Sequence, residues 1–278
     1  AAAAHGVVQF NLIVGSALAA SLAAGAGSQL YYADRINQLP LGVVGVAIAT
    51  ALLPKLAASL RGGRAAEAVE TQSRAFEATL FLGLPAATAL AIAAETLVAG
   101  LFQRGGFAAA DAAATGQALA MYAIGLPAML LAKVLQTALF SREQPGAAFK
   151  ASLISVGTNI AAAFALIGPL GHVGLALAVT LGAWANAVAL AVLLWRADAL
   201  GVDDGFRRRW PRIAAATAVM GAAVYGVDLA LAGFAETELE RLVRLFAVVA
   251  TGGAVYATAA LLLRAVAPAD LKAWLRRR

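Results

Sequence analysis

Long apolar runs are the feature that most constrains how this chain can fold. A helix needs about 20 mostly apolar residues to cross a bilayer. Eight stretches meet this requirement, at residues 5–24, 29–54, 76–101, 115–140, 149–168, 171–195, 211–233 and 242–265. Only 13% of the 278 residues are charged, whereas a soluble domain carries about 25%. The sequence therefore predicts an all-α, polytopic membrane protein with eight transmembrane helices.

Basic residues are unevenly distributed between the two sides of these predicted helices. Sixteen of the 21 Lys and Arg residues fall on one side, three fall on the other, and Arg35 and Lys133 lie within helices. Basic connections tend to stay in the cytoplasm, so we expect both ends of the chain to be cytoplasmic. The same bias accounts for the net charge of +6, and we expect no nucleic-acid partner.

Few residues can support metal or nucleophile chemistry. The chain contains no Cys and only two His, His5 and His172, which argues against a disulfide framework, a thiolate nucleophile and a histidine metal centre. No pair of carboxylates, Ser/His/Asp set or Gly-Lys-Ser phosphate loop stands out. We expect no metal, no cofactor and no enzymatic activity. Proline and glycine within several spans, such as Pro40, Pro85 and Pro127, favour a transporter over a simple anchor.

The run from Tyr31 to Pro40 is the most unusual part of the apolar sequence. It places Asp34, Arg35 and Gln38 inside the second predicted span, where charged groups are costly unless they face protein or water. Gln38 lies four residues after Asp34 and Tyr31 lies four before Arg35, so both have neighbours on the same helix face. Arg35 either presents its guanidinium to a phosphate in a cavity or extends to the outer headgroups.

Three further polar residues lie within the predicted spans. Lys133 either reaches the inner interface with its long side chain or faces the bundle as a second phosphate or carboxylate contact. Asn11 and Asn159 are amides near the middle of the membrane. Interhelical hydrogen bonding is the usual role of such amides, and contact with an ion or substrate is the alternative.

Several motifs together resemble the MurJ (MviN) family of lipid II flippases, which belongs to the multidrug/oligosaccharidyl-lipid/polysaccharide exporter superfamily. The run YYADRINQLPLGVVGVA at 31–47, closing with LLPKL at 52–56, is the most specific match. Further similarity follows in the same order, at LFQRGGF (101–107), GLP (125–127), KVL (133–135), FSRE (140–143) and GHVGLALA (171–178). The resemblance extends over essentially the whole chain.

The resemblance implies an architecture for the chain. Family members have fourteen helices in two six-helix lobes and a terminal pair, so the eight helices here would be the seventh to the fourteenth. Residues 1–200 would form the carboxy-terminal six-helix lobe, and residues 201–278 would form the terminal pair with a basic cytoplasmic tail. The amino-terminal lobe of the same protein would be the main partner and would lie outside this sequence.

The resemblance also implies a function and a site. The chain would flip lipid II, the undecaprenyl-diphosphate-linked disaccharide pentapeptide, from the inner to the outer leaflet of the bacterial cytoplasmic (inner) membrane by alternating access. Arg35 would bind the diphosphate, with Asp34, Gln38, Lys133 and Asn11 nearby, and the tail would stay among membrane lipids. The alternatives are an exporter of another polyprenyl-diphosphate-linked glycan and a non-transporting scaffold of a cell-wall complex.

Some family members hold sodium between three of these helices. Asn159 matches one amide ligand of that site, whereas Gly15, Ala163 and Val179 stand where those members supply Asp, Asp and Thr. These three replacements have no side-chain oxygen. We therefore expect no sodium site of that composition, and Asn159 is retained as an ion or helix contact.

Overall fold

The computed structural model describes residues 14–22 and 25–265, and within them the chain is helical with no strand. The helices are α1 (14–20), α2 (Ala26–Arg61), α3 (Ala65–Ile92), α4 (Ala94–Phe102), α5 (Ala109–Phe140), α6 (Pro145–Arg196), α7 (Asp204–Ala230) and α8 (Glu238–Leu262). The all-α membrane fold expected from the sequence is confirmed.

Five of the described helices are long and apolar enough to cross a membrane by length and composition, namely α3, α5, α6, α7 and α8. α6 has 52 residues, which would extend for about 78 Å at 1.5 Å per residue. This length is well over twice the bilayer core of about 30 Å. The predicted number of eight spans stays a prediction.

α6 contains one break, which lies at the start of the predicted span 171–195 and so separates it from the predicted span 149–168. Gly171 has φ 55° and ψ −131° inside an otherwise helical segment, a conformation that is essentially restricted to glycine. Nε2 of the neighbouring His172 lies 3.0 Å from the Ala114 carbonyl oxygen of α5. The chain therefore turns at a single residue rather than in a separate loop, and each half of α6 is close to membrane length.

Two connections are shorter than the sequence predicted, because the helices extend into them. α2 continues to Arg61 and ends where Gly63 takes φ 67°, since the segment before it is rich in Leu and Ala, which favour helix. α7 begins seven residues before the predicted start at 211, because the side chain of Asp203 caps it by accepting from the Phe206 N–H at 2.7 Å.

The third predicted span, 76–101, is broken into α3 and α4 at Ala93. No glycine or proline lies at the break, so local propensity did not indicate it. Another helix packs against the chain just after this break. α5 passes so close that a Cβ on Gly116 would lie 2.8 Å from the Glu95 Cα. Glycine at 116 therefore allows α5 to pack directly against the first turn of α4.

α5 forms the centre of the bundle. In the most apolar 18-residue segment of α5, 67% of the residues are buried, whereas 33% or fewer are buried in the corresponding segments of the other four membrane-length helices. Leu119, Leu126, Leu130 and Val134 are fully buried against α2, α3 and α6. Side chains that project from α5 are therefore positioned by packing on nearly every face of the helix.

α7 and α8 pack on each other and reach the bundle mainly through α3 and α4. Polar contacts secure both ends of α7. Near one end, Arg209 Nη1 lies 2.9 Å from Glu77 Oε2, and near the other, Arg244 Nη2 lies 3.0 Å from Asp228 Oδ1. Thr96 of α4 also donates to Asp228 at 2.6 Å.

Arg142 lies in the connection between α5 and α6 and hydrogen-bonds to backbone on both sides of it. Arg142 donates to the Ala138 carbonyl at 2.9 Å and to the Ala199 carbonyl at 3.2 Å. Burial lowers the pKa of Arg142, but an arginine stays protonated in proteins. The Arg142 guanidinium therefore joins the ends of α5 and α6 through charge-assisted hydrogen bonds.

Candidate functional site

The charged segment of α2 has one face against the bundle and one face away from it. Ala33, Ile36 and Asn37 are buried, whereas Arg35 and Gln38 are exposed and Asp34 is partly buried. Since residues three and four apart share a helix face, this pattern arises from a regular helix with one side packed. The polar residues therefore lie on or beside the free face of α2.

Aromatic packing anchors this segment of α2. The ring of Tyr32 lies 4.9 Å from that of Phe102 and 5.6 Å from that of Phe107, centroid to centroid. Such tilted and edge-to-face arrangements are favourable for aromatic pairs. Tyr32 therefore packs this part of α2 against the connection between α4 and α5. Because Arg35 follows Tyr32 by one turn of the same helix, this packing also fixes the position of the Arg35 backbone.

Arg35 is oriented by the tyrosine one turn before it. Its Nε donates to the Tyr31 hydroxyl at 3.1 Å, and its Cζ lies 5.1 Å from the centroid of the same ring. Hydrogen bonding and cation–π attraction thus act on one edge of the guanidinium. Its two Nη groups have no protein partner within the described ranges, so this fork is available for a bidentate contact.

Asp34 and Gln38 form a separate pair on the same helix. The Gln38 side-chain amide donates to Asp34 Oδ2, which is the i,i+4 contact that their spacing allows. Asp34 forms no salt bridge with Arg35, because consecutive helix residues point about 100° apart. Arg35 is therefore not neutralised by a direct ion pair with the acid beside it.

Lys133 lines a cavity of about 290 Å³, which we call the amide cavity. Its side chain passes Gly45 of α2, where a Cβ would lie 3.8 Å from Lys133 Cγ. No acidic side chain forms a salt bridge with it in the part of the chain that the structure covers. Lys133 is exposed although it lines this cavity, so the two roles open from the sequence stay predictions.

Asn159 lines the same amide cavity from the first half of α6. The second half of α6 crosses it closely at Gly182, where a Cβ would lie 3.0 Å from Asn159 Cβ. Ser155, one turn before Asn159, donates to the Gly182 carbonyl at 2.8 Å. The structure therefore brings two of the sequence-predicted residues, Lys133 and Asn159, to one site.

The remaining predicted residues lie elsewhere. Arg35, Asp34 and Gln38 are not among the lining residues of the amide cavity, although Leu41 of the same helix is. Leu41 follows Arg35 by six residues, or about 9 Å along the helix axis. Asn11 lies outside the described residues.

The positions associated with sodium offer no extra oxygen ligands. Ala163 is buried in a small apolar cluster with Leu175 and Ala178, and Val179 lines the amide cavity. Gly15 lies in α1. Within residues 14–22 and 25–265 no group of three or more His, Cys, Asp and Glu side chains is placed to hold a metal ion.

Three polar residues of this region were missed by sequence reasoning. Gln136 and Asn186 line the amide cavity, and the buried Asn37 packs against Met129, another lining residue, with Nδ2 3.9 Å from the Met129 sulfur. Amides within apolar spans were the available signal. The sequence predicts Asn159 on that basis, and Asn37, Gln136 and Asn186 are also amides within predicted apolar spans.

The fold and the site together define a polytopic α-helical membrane protein. Its helices are of bilayer length, and polar side chains line a cavity between them. A basic group within such a bundle is costly, and residues of this kind mark the paths of polar substrates through membrane proteins.

Comparison with known proteins identifies the family. The family model described as "Lipid II flippase MurJ" matches residues 1–243. A Rhizobium meliloti (strain 1021) protein named "Probable lipid II flippase MurJ" is 45% identical over 226 residues, which is 81% of this chain and 42% of that protein. A Vibrio cholerae serotype O1 protein of the same name is 33% identical over 271 residues, covering 96% of this chain and 51% of that protein. This chain belongs to the MurJ family.

A solved structure has the same fold. The structure titled "Lipid II flippase MurJ, inward closed conformation" matches with a TM-score of 0.76, at 21% identity, over 93% of this chain and 51% of that one. The chain thus spans about half the length of the relatives that it matches. The resemblance inferred from the sequence motifs is confirmed, and the chain is a multi-pass membrane protein of a transporter family.

Proposed function

We propose that this chain is the carboxy-terminal part of a lipid II flippase, which moves the lipid-linked peptidoglycan precursor to the outer leaflet of the bacterial cytoplasmic membrane. Membership of the MurJ family supports this proposal. Alternating access would be carried out with the amino-terminal lobe of the same protein, and both ends of this chain would be cytoplasmic, as the distribution of basic residues suggests.

The geometry of Arg35 is the observation that carries the proposal. The Arg35 side chain lies on α2, within the span predicted from the sequence. Its guanidinium is fixed along one edge by Tyr31 and leaves both Nη groups without a protein partner among the described residues. A planar fork of this kind matches a phosphate through two parallel hydrogen bonds. We therefore assign binding of the lipid diphosphate to Arg35, with Asp34 and Gln38 beside it.

The division into a six-helix lobe (1–200) and a terminal pair (201–278) belongs to the same proposal. The contacts support it, because α7 and α8 pack mainly on each other and on α3 and α4. An apolar groove of about 270 Å³ lies between these helices, lined by residues that include Pro85, Leu97, Met220, Val248 and Tyr256. A groove with this lining suits an isoprenoid tail while the headgroup is held at Arg35.

Replacement of Arg35 tests the proposed function. In the full-length protein that contains this chain, Arg35→Ala should fail to support growth when the native flippase is depleted, and Arg35→Lys should support it partly. Purified Arg35→Ala should bind lipid II about tenfold to a hundredfold more weakly, because hydrogen bonds to charged groups contribute about 1.5–3 kcal/mol. Arg61→Ala, an exposed position on the same helix, is the matched control.

Three results would separate the alternatives. Growth and lipid II binding of Arg35→Ala at wild-type levels would remove Arg35 from the headgroup site. Tighter binding of a different polyprenyl-diphosphate glycan would identify an exporter of that glycan. A scaffold would bind no lipid diphosphate, and it would tolerate changes at Arg35 while depending on the basic cluster 207–209.

A further inference from the structure

The amide cavity is lined by polar side chains from α5 and α6. Lys133 supplies an ammonium group, and Gln136, Asn159 and Asn186 supply amides. None of the lining residues is Asp or Glu, so the cavity has a net positive charge. This composition is poorly suited to a metal cation, which binds carboxylates and other oxygen ligands. It is better suited to an anionic group.

A buried amide oxygen of one lining residue lacks a hydrogen-bond donor. Asn186 Oδ1 is buried without a partner among the described residues. Buried acceptors are rarely left unpaired, and each costs about as much as a lost hydrogen bond. A ligand that brings N–H or O–H donors would relieve this cost.

The size of the cavity limits what can enter. A volume of about 290 Å³ corresponds to about ten water molecules at roughly 30 Å³ each. This space is sufficient for one or two amino-acid residues. The ligand must combine a carboxylate for Lys133 with amide groups for the asparagine and glutamine side chains, and a peptide that carries a free carboxylate has both.

We propose that the amide cavity binds the carboxylate-bearing peptide portion of the substrate headgroup, while Arg35 binds the diphosphate. This inference rests on the proposed function. The two sites are suitably separated, because Leu41 and Gly45 follow Arg35 on α2 by about 9 and 15 Å along the helix axis. A headgroup held at Arg35 would extend along α2 for two to three turns to place its peptide beside Lys133.

Binding measurements on the full-length protein that contains this chain test the assignment. Three probes are used: lipid II, lipid II with amidated peptide carboxylates, and undecaprenyl diphosphate, which has no peptide. Lys133→Gln removes the charge at nearly constant size, and Lys133→Arg keeps it. Lys150→Gln, an exposed position at the start of α6, is the matched control.

We expect Lys133→Gln to weaken lipid II binding about tenfold and to leave undecaprenyl diphosphate binding unchanged. Lys133→Arg should retain most of the affinity, and Lys150→Gln should equal the wild type. The wild-type protein should bind amidated lipid II about tenfold more weakly than lipid II. This last comparison needs no variant, so it remains informative if Lys133→Gln fails to fold.

Two results would overturn the assignment alone: equal wild-type affinity for lipid II and its amidated form, or equal weakening of lipid II and undecaprenyl diphosphate binding by Lys133→Gln. The second would make Lys133 a diphosphate ligand. Failure of the wild-type protein to bind lipid II at all would instead overturn the proposed function, and this inference with it.

Discussion

The contact between α5 and the second half of α6 at Gly125 allows a quantitative test of the packing around the amide cavity. A Cβ at position 125 would lie 2.8 Å from Thr180 Oγ1 and 3.2 Å from Thr180 Cα. Thr180 also donates to the Met121 carbonyl at 2.6 Å. Gly125→Ala must therefore push Thr180 away and weaken that hydrogen bond.

This contact lies beside Pro127, where the helical hydrogen bonding of α5 is interrupted. Pro127 has no N–H, so the helical hydrogen bond to the Ala123 carbonyl is missing. Trp184 of α6 donates to the Ile124 carbonyl at 3.1 Å, one residue further along. The second half of α6 thus contacts α5 where the hydrogen bonding of α5 is interrupted, and separating the two helices weakens the Trp184 hydrogen bond as well.

The size of the effect follows from two terms. Overpacking costs about 1–3 kcal/mol, and an interhelical hydrogen bond in a membrane protein contributes about 0.6 kcal/mol. Ala is favoured over Gly in a helix by about 1 kcal/mol, but this gain cancels against a control at Gly157 of α6, where a Cβ meets nothing within 4 Å. The difference between the two variants is therefore about 2–4 kcal/mol.

Thermal unfolding of the purified full-length protein measures this difference. A shift of about 2–4 °C per kcal/mol holds for 150–250 residues, and the relatives are about twice as long as this chain, so about 1–2 °C per kcal/mol applies. Gly125→Ala should therefore unfold about 2–8 °C below Gly157→Ala. Adding Thr180→Ala removes the closest contact, so the double variant should be less destabilised than the two single changes together. Unfolding of Gly125→Ala and Gly157→Ala at the same temperature would refute the close approach.

Two further predictions concern polar contacts. Tyr31→Phe keeps the ring beside Arg35 but removes the hydroxyl acceptor, so lipid II affinity should fall about twofold to fivefold; Tyr225→Phe on α7 is the control, and an unchanged affinity would exclude orientation by the hydroxyl. Asp228→Ala leaves Arg244, only 18% exposed, without its acid, so stability should fall by about 3 kcal/mol. Thermal unfolding measures this loss of stability. If the Asp228→Ala/Arg244→Ala double variant lost as much stability as the two single variants added together, the pairing would be contradicted.

Local contacts of the candidate site could be predicted because they depend on helix periodicity alone. Arg35 bonds to Tyr31 and Gln38 bonds to Asp34, each four residues away on α2. Once the apolar run is recognised as helix, these neighbours are determined. The roles assigned to these residues stay predictions, because a local contact does not reveal which ligand is bound.

Contacts between distant parts of the chain could not be predicted in this way. Lys133, Ser155, Asn159 and Asn186 lie on one cavity, although more than fifty residues separate the first from the last. Their meeting depends on how α5 packs against α6 and on the fold-back of α6 at Gly171. The sequence left two positions open for the Lys133 ammonium group, the inner interface and the interior of the bundle, because a long side chain on an isolated helix can reach either.

The sequence by itself determined the class of protein. Membrane-length apolar runs require helices, because a bilayer offers no water to satisfy an open backbone, and the motif around Arg35 is specific to one family. Tertiary structure alone decided the break at Ala93, the position of Lys133 and the set of residues that line the amide cavity. The physical reason is that helix formation is a local property, whereas the surroundings of a side chain depend on close packing between helices that are distant in sequence.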